Sequence, residues 1–314
     1  MIDVACIGIL VADLITKSVD SLPEKGKLGF VDEILLNTGG VAQTTSIVLA
    51  KLGTNVSIIG KIGSDLFGDY IISNLQKYGV DYRGLIRSKN QNTSKTIVLV
   101  DSKGERTFLY LPGSNGEFSE KDINWSIVNE AKHVHIAGAF LMPSFDGENT
   151  TATLKKAKKM GKTTSMDTAW DQTGRWMNLI QPSLKYIDYF LPSYTEACVM
   201  VSEKDPEKIC DIFLNEGVEM VGLKLGENGC IIATKKRKIH CAPFIVKEID
   251  STGAGDSWVG GFLTGLMKGW SFEKCGTFAN AVGAATVRAV GGGNGIESIE
   301  QINREIIQGG KQCR

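Results

Sequence analysis

Seven consecutive residues, Asp250-Ser251-Thr252-Gly253-Ala254-Gly255-Asp256, hold the densest chemistry in the chain. They follow an extended apolar stretch, Ala242 to Ile249. They lead into a helical pattern in which Trp258, Val259, Phe262, Leu263, Leu266 and Met267 share one face. A glycine-rich turn that opens a helix presents free N–H groups, here those of Gly253, Ala254 and Gly255, at the positive end of the helix dipole. That is an anion site, and phosphate is the usual anion. Glycine also lets a ligand approach the backbone without meeting a Cβ. Asp256 has two readings. It offsets the helix dipole in the first turn, or it takes a proton from a hydroxyl attacking phosphorus. Gly260, Gly261 and Gly265 each cost the helix about 1 kcal/mol against Ala, which points to a close-packed neighbour.

The elements that must position this turn fit one large α/β unit. A chain of 314 residues can bury a sizeable core and carry a small appendage. Its apolar and charged fractions are ordinary for a globular protein. Formal net charge is zero, which removes the electrostatic case for nucleic acid or an anionic membrane. No run reaches the length of a membrane helix, and Met1-Ile2-Asp3 has no basic leader, so a cytoplasmic protein is expected. Seven cysteines are scattered with no Cys-x-x-Cys pair, and reduced, mostly buried thiols are expected. Nothing argues for oxidative regulation through Cys313, near the tail.

In chain order, Ile2 to Ile9 reads as a buried strand. Asp13 lies just past its carboxyl end, where open α/β sheets bind ligands. By itself it is a turn residue; as an acceptor it suits a polyol, which offers several O–H donors. Residues 27–36 look extended, and Thr38-Gly39-Gly40 opens a helix that runs to Gly53. Asp65 reads as the N-cap of a helix to Tyr78. Thr93 to Pro112 reads as a hairpin about Asp101-Ser102-Lys103-Gly104. The segments 133–138, 146–160, 163–167, 187–190, 193–201, 205–215 and 218–225 then alternate strand and helix, which predicts a parallel sheet covered on both faces. Gly161-Lys162-Thr163 is not a P-loop ending, because position 156 is Lys and not Gly. His133 and His135 read as core or edge histidines and not a metal pair. The facing of Asp171 and Arg175 is open.

The Asp250–Asp256 motif resembles the C-terminal signature of the ribokinase-like (PfkB) carbohydrate kinases. Weaker motifs stand in the family's order from about residue 2 to 300. The resemblance implies an α/β fold over 1–314 as a single kinase domain: a central, mostly parallel sheet with helices on both faces, and a small β lid inserted at about 14–38 and 93–115. It implies an anion hole at Gly253, Ala254 and Gly255 with Asp256 as general base. Asp13, Gly39, Gly40, Thr44 and Arg106 would face the sugar, with Asn115 near the hinge. Thr44 stands where the family carries Asn. Val41 stands where relatives acting on phosphorylated sugars carry Lys, so the substrate is expected to be unphosphorylated.

On the nucleotide side, Ser193-Tyr194-Thr195-Glu196 is similar to the family's Asn-x-x-Glu motif, with Ser193 replacing the Asn. Glu196 would organise Mg²⁺ through water. Lys224, Gly226 and Gly229 would line the nucleotide site together with Thr252, Gly253 and Gly255. Lys224 would reach a phosphate, and Asn280 would lie beside the adenine. Asp250 and the loop ending at Gly295 would hold a monovalent cation. The expected reaction moves the ATP γ-phosphoryl group to a sugar hydroxyl, with ATP and Mg²⁺ required and K⁺ a further candidate. A homodimer through the lid is also implied. Two other readings remain: a nucleoside kinase of the same family, and a catalytically weak sugar or nucleotide sensor, motivated by Thr44 and Ser193.

Overall fold

The computed structural model describes residues 1–309 and 311–312; Cys313 lies outside the described residues. The first strand shows how the layers arise. In β1 (Ile2–Gly8), Val4 and Cys6 pack into one core while Ala5 and Ile7 pack into another. Successive side chains of a strand point to opposite faces, so a strand that is apolar throughout needs cover on both. One core is completed by α1 (Val41–Lys51), α2 (Leu66–Lys77), and later α9 (Ala254–Met267) and α10 (Phe272–Thr286). The other is completed by α5 (Glu148–Lys159), α6 (Met177–Leu184) and α8 (Pro206–Asn215).

The large sheet has nine strands, in the order β13-β12-β11-β10-β9-β8-β1-β4-β5. These are β4 (Val56–Ile62), β5 (Asp81–Arg87), β8 (Ala131–Ala139), β9 (Thr163–Thr168), β10 (Tyr189–Phe190), β11 (Met220–Lys224), β12 (Cys230–Thr234) and β13 (Lys238–Cys241). All neighbours are parallel except β11–β12 and β12–β13. The chain grows from β1 towards β4 and β5, then returns to β8 on the other side. The order therefore reverses at β1, and the crevice beyond the carboxyl ends of β1 and β8 is where such sheets take ligands.

A second sheet, in the order β3-β2-β6-β7, comprises β2 (Val11–Lys17), β3 (Glu33–Gly39), β6 (Lys95–Val100) and β7 (Arg106–Leu111). The hairpin about Asp101 forms as expected. β2 begins at Val11, earlier than the sequence suggests. Residues 18–32 form an exposed connection punctuated by Pro23, Gly26 and Gly29, not a strand. The apolar stretch before the signature is also largely irregular. Only Phe244–Ile245 (β14) pairs there, with Lys311–Gln312 (β15). Only Phe244 of this stretch is buried, packed with Phe278 and Ile302, while Ile245 and Ile249 are exposed.

Several sequence features are structural. His133 and His135 are fully buried, and their rings hydrogen-bond Thr163 and Ser165 at 2.7–2.8 Å. The described residues contain no group of three or more metal-ligand side chains. Asp171 accepts the Thr173 and Trp176 N–H groups, and Arg175 Nε donates to the Thr173 hydroxyl. Asn115 binds both backbone groups of Leu10, at the junction of the two sheets. Asp65 accepts from Gly68 N–H at 3.0 Å as an N-cap, and from Thr93 N–H at 3.0 Å. Asp65→Ala loses both contacts. The expected cost is about 1–3 kcal/mol, read as a lower urea midpoint at unchanged m-value. An unchanged midpoint would refute the double role.

Candidate active site

The signature turn lies beyond the carboxyl edge of the large sheet. Gly253 adopts φ 70°, and a Cβ there would sit 2.7 Å from Gly292 Cα, so neither conformation nor space admits another residue. α9 starts immediately after it. Ala254 departs from expectation. Its N–H closes onto the Ser251 carbonyl at 3.1 Å, while the Gly253, Gly255 and Asp256 N–H groups of the turn make no backbone hydrogen bond among the described residues. The Asp256 carbonyl accepts from Thr45 Oγ1 at 3.2 Å, which ties the turn to α1.

Two cavities meet at this turn. Ala254 and Gly255 line one of about 450 Å³, with Lys224, Gly226, Gly229 and Asn280. Gly253 and Asp256 line the other, of about 480 Å³, with Asp13, Gly39, Gly40, Thr44, Arg106 and Thr252. The glycine turn is therefore the partition between them.

In the first cavity, Lys224 ends β11 and its Nζ lies 3.6 Å from where a Cβ on Gly255 would be. Ser193 bridges to Lys224 in parallel, and Lys224 N–H donates to Pro192 O at 3.1 Å. Ser193 and Glu196 form a capping box at the start of α7 (Tyr194–Val201). Thr168 Oγ1 donates to Glu196 Oε2 at 2.8 Å. The Glu196 carboxylate is thus aimed by a residue at the end of β9. Asn280 lines the cavity, but its amide is already engaged. Its Oδ1 accepts from Trp258 Nε1 at 2.8 Å, and its Nδ2 donates to the Cys241 and Ala242 carbonyls. It shapes the wall through Trp258 instead of offering a free amide.

In the second cavity, Asp13 projects from β2 where a Cβ on Gly39 would collide with its Oδ2, so the glycine makes room for the carboxylate. Gly40 adopts φ 93° and lies tight against Ile9 O. Thr44 is buried, its methyl against Gly292 and Gly253. Asp250 and Arg106 differ from expectation. The Arg106 guanidinium pairs with Asp250 Oδ1 at 2.7 Å and reaches the Thr252 hydroxyl. Asp250 also accepts from Thr252 N–H at 2.8 Å and Gly291 N–H at 2.9 Å. Its charge is balanced by the Arg106 guanidinium. Arg106 is likewise committed to the signature loop and is not a free cation in the cavity.

The carboxylates around the partition are electrostatically linked. Burial pushes Asp256 up to about 6, against the pull of Lys224 and with the push of Glu196. Burial likewise raises Asp13 to about 6, with a Thr96 hydrogen bond opposing it. Asp167, at the end of β9, escaped the sequence reading. It is 1% exposed, and its Oδ1 accepts Gly138 N–H at 2.6 Å. Burial raises it to about 7, with Lys224 pulling down and Asp256 pushing up. Burial would also raise Asp250, but the Gly291 and Thr252 hydrogen bonds and Arg106 hold it at about 2. One lysine thus serves two carboxylates, the buried Asp167 and the half-buried Asp256. Free amide donors, an ammonium group and an oriented carboxylate (Gly253, Gly255, Lys224, Glu196) fit a polyphosphate with a hydrated divalent cation.

Comparison with known proteins agrees with this chemistry. Residues 1–299 match the pfkB family carbohydrate kinase profile. A 2-dehydro-3-deoxygluconokinase of Bacillus subtilis is 27% identical over 293 residues, covering 89% of each chain. An uncharacterised sugar kinase of Archaeoglobus fulgidus is 29% identical over 248 residues, covering 79% of this chain and 97% of that one. The crystal structure of a Thermotoga maritima ribokinase superposes with a TM-score of 0.84 at 26% identity, covering 97% of this chain and 99% of that one. An Escherichia coli putative ribokinase II, crystallised with ATP and Mg²⁺, shares the fold at TM-score 0.85 and 24% identity.

Proposed function

The chain belongs to the pfkB family of carbohydrate kinases, and from that membership we propose that it transfers the γ-phosphoryl group of ATP to a hydroxyl of an unphosphorylated sugar or sugar derivative. The observation that carries this reading is the partition: one turn, Gly253 to Asp256, separates a cavity holding Lys224 from a cavity holding Asp13. A phosphate in the first and a hydroxyl in the second would meet across it. Asp13 accepts substrate O–H groups and fixes which hydroxyl faces Asp256. Asp256 takes the proton of that hydroxyl as its oxygen attacks the γ-phosphorus; the O–P bond forms, the bond to ADP breaks, and ADP leaves with the electron pair. The Gly253 and Gly255 N–H groups and Lys224 stabilise charge on the transferred group. Glu196, held by Ser193 and Thr168, would hold, through water, Mg²⁺, which when bound would neutralise phosphate charge. Ser193 replaces the family's Asn without loss of the cap.

The test is ATP consumption with Mg²⁺ across pentoses, hexoses, keto-deoxy acids and nucleosides, with Asp256→Asn as the blank. Turnover of one compound, absent in the blank, supports the reading. ATP or sugar binding with no turnover anywhere would favour a sensor. Omitting K⁺ is expected to leave the rate within a few-fold, because Arg106 already balances Asp250.

The small sheet also has an outer face. Leu36, Leu14, Ile97 and Leu109 form one row across all four strands there. Ile34 is 63% and Leu109 55% exposed. An apolar sheet face of this kind marks an interaction surface, and we propose that a second copy covers it. The protein is expected to run as a dimer in light scattering, and Leu109→Glu with Ile97→Glu to give monomer. A monomeric wild type would refute the interface. We place its action in the cytoplasm, in keeping with its use of ATP and the six free cysteines among the described residues.

A further inference from the structure

Lys224, Cys230 and Cys241 are register partners across β11, β12 and β13. Directly opposed residues of antiparallel strands share a face, so one row carries the lysine of the first cavity and two thiols. Both thiols are free and buried, Cys230 at 1% and Cys241 at 4% exposure. Both lie over one turn of α10. Cys230 Sγ donates to Gly276 O at 3.9 Å, and Cys241 Sγ donates to Glu273 O at 3.8 Å. A Cβ on Gly276 would sit 2.8 Å from Cys241 Sγ, so the glycine makes room for the pair. The two thiols are also hydrogen-bonding neighbours of one another. Cys275, on the same helix, donates instead to Trp270 O at 3.7 Å.

The pair backs the wall of the first cavity. The Cys230 thiol contacts the Asn280 and Trp258 side chains, and both of these line that cavity. Cys241 O accepts from Asn280 Nδ2 at 2.9 Å. Gly229, the wall residue before Cys230, is pressed against the same carbonyl, since a Cβ there would sit 2.2 Å from it. Gly229 O in turn accepts the N–H of Leu225, the neighbour of Lys224, at 2.8 Å. A change in the spacing of the two cysteines therefore reaches Lys224, Gly229 and Asn280 through direct contacts. The two thiols are also unequal. Donation from Cys230 holds Cys241 below the ordinary thiol value against its burial, while burial pushes Cys230 well up. Cys241 is thus the nucleophile of the pair.

We propose that Cys230 and Cys241 form a reversible redox pair that sets the affinity of the first cavity for its nucleotide, with a hydroperoxide as oxidant. The Cys241 thiolate attacks a peroxide oxygen. The O–O bond breaks, an alcohol (water, for hydrogen peroxide) leaves with a proton, and Cys241 becomes a sulfenic acid. The Cys230 sulfur then attacks the Cys241 sulfur. The S–O bond breaks, and the departing hydroxide takes the Cys230 proton and leaves as water. Two thiols give up two electrons and two protons to the peroxide, and a dithiol reverses the step by exchange. Directly opposed Cβ atoms lie about 4.5–5.5 Å apart, and a disulfide holds them at about 3.8 Å. Closure therefore draws β12 and β13 together by about 1 Å in the row of Lys224, and a misplacement of about 1 Å costs a site up to about 10²-fold. The bond itself is independent of the kinase reading; its effect on the nucleotide rests on that reading.

The experiment treats the full-length protein with hydrogen peroxide, blocks the remaining thiols, digests without reductant and maps linked peptides by mass spectrometry. The same samples, before and after dithiothreitol, are titrated with ATP by calorimetry and assayed for kcat/KM towards ATP. A Cys230–Cys241 linkage is expected, with ATP binding weakened by about 10–100-fold and restored by dithiothreitol. Cys230→Ala and Cys241→Ala are expected to match reduced wild type and to keep their ATP affinity under peroxide. Oxidised wild type without this linkage would overturn the inference, as would a linkage that leaves ATP affinity unchanged or a loss that both variants share. The linkage and its reversal are read on wild type, so they decide the matter even where a variant does not fold. If the reduced protein binds ATP but phosphorylates nothing, the kinase reading fails while linkage and calorimetry still decide the pair. If the reduced protein neither binds nor uses ATP, both fall together.

Discussion

Asp256→Asn is expected to lower kcat by about 10²–10⁴-fold, the range for a lost general base, with ATP affinity within a few-fold of wild type. The substitution is nearly isosteric at a half-buried position whose carbonyl is held by Thr45, so the turn and its Gly253 and Gly255 donors should survive. The pH profile gives an independent reading. The base works only when ionised, and burial holds Asp256 at about 6. Turnover should therefore be full above about pH 7 and fall as pH drops through 6, to about one tenth at pH 5. The loss runs towards acid because protonation removes the base. In Asp256→Asn the residual rate should lack this limb. Near-wild-type turnover in the variant, or a limb that persists unchanged in it, would remove Asp256 from the chemistry.

The parts of the site that are legible in the sequence are those whose chemistry is local. Gly253, Gly255 and Asp256 form one turn, and their spacing alone announces an anion site at a helix start. Gly39 and Gly40 are likewise readable, because a glycine pair opening a helix has few structural excuses. The parallel core of the nine-stranded sheet follows from strand–helix alternation, whereas β5 and the antiparallel β12 and β13 at its edges do not. What the sequence does not show is set by contacts between strand ends far apart in the chain. Arg106 meets Asp250 across the mouth of the cavity, Thr168 aims Glu196, and Thr45 holds Asp256. A lone Thr or Arg carries no spacing that would reveal such a partner. Asp167 was hidden for a related reason: an Asp at a strand end looks like any turn residue until its burial is known. The stretch 242–249 reads as extended and apolar, yet only Phe244–Ile245 pairs and only Phe244 is buried, because an apolar run fixes neither which backbone groups it pairs nor which of its side chains find cover.

Lys224→Met should separate two roles that the geometry gives to one ammonium group. Its loss removes a charge aimed at phosphate, and deleting a single donor of this type costs about 10²–10³ in kcat. It also removes the largest influence lowering both Asp256 and Asp167 against the burial that raises them. With that pull gone, both carboxylates hold their protons to higher pH. The acid limb of kcat should therefore move upward from about 6, and the variant should regain part of its lost rate as pH is raised. If kcat falls while the limb stays near 6, Lys224 acts on phosphate alone and its link to the carboxylates has no kinetic consequence. If the limb rises with little loss of kcat at high pH, its main task is to keep the base ionised. A variant unchanged in both would show that the anion site is built from the Gly253 and Gly255 amides without the lysine. The double variant with Asp167→Asn sharpens the test. Asp167 competes for the same ammonium, so removing its carboxylate first should leave Lys224 more fully committed to Asp256. The limb of Asp167→Asn alone should then lie below that of wild type, and adding Lys224→Met should shift it by more than in the single variant.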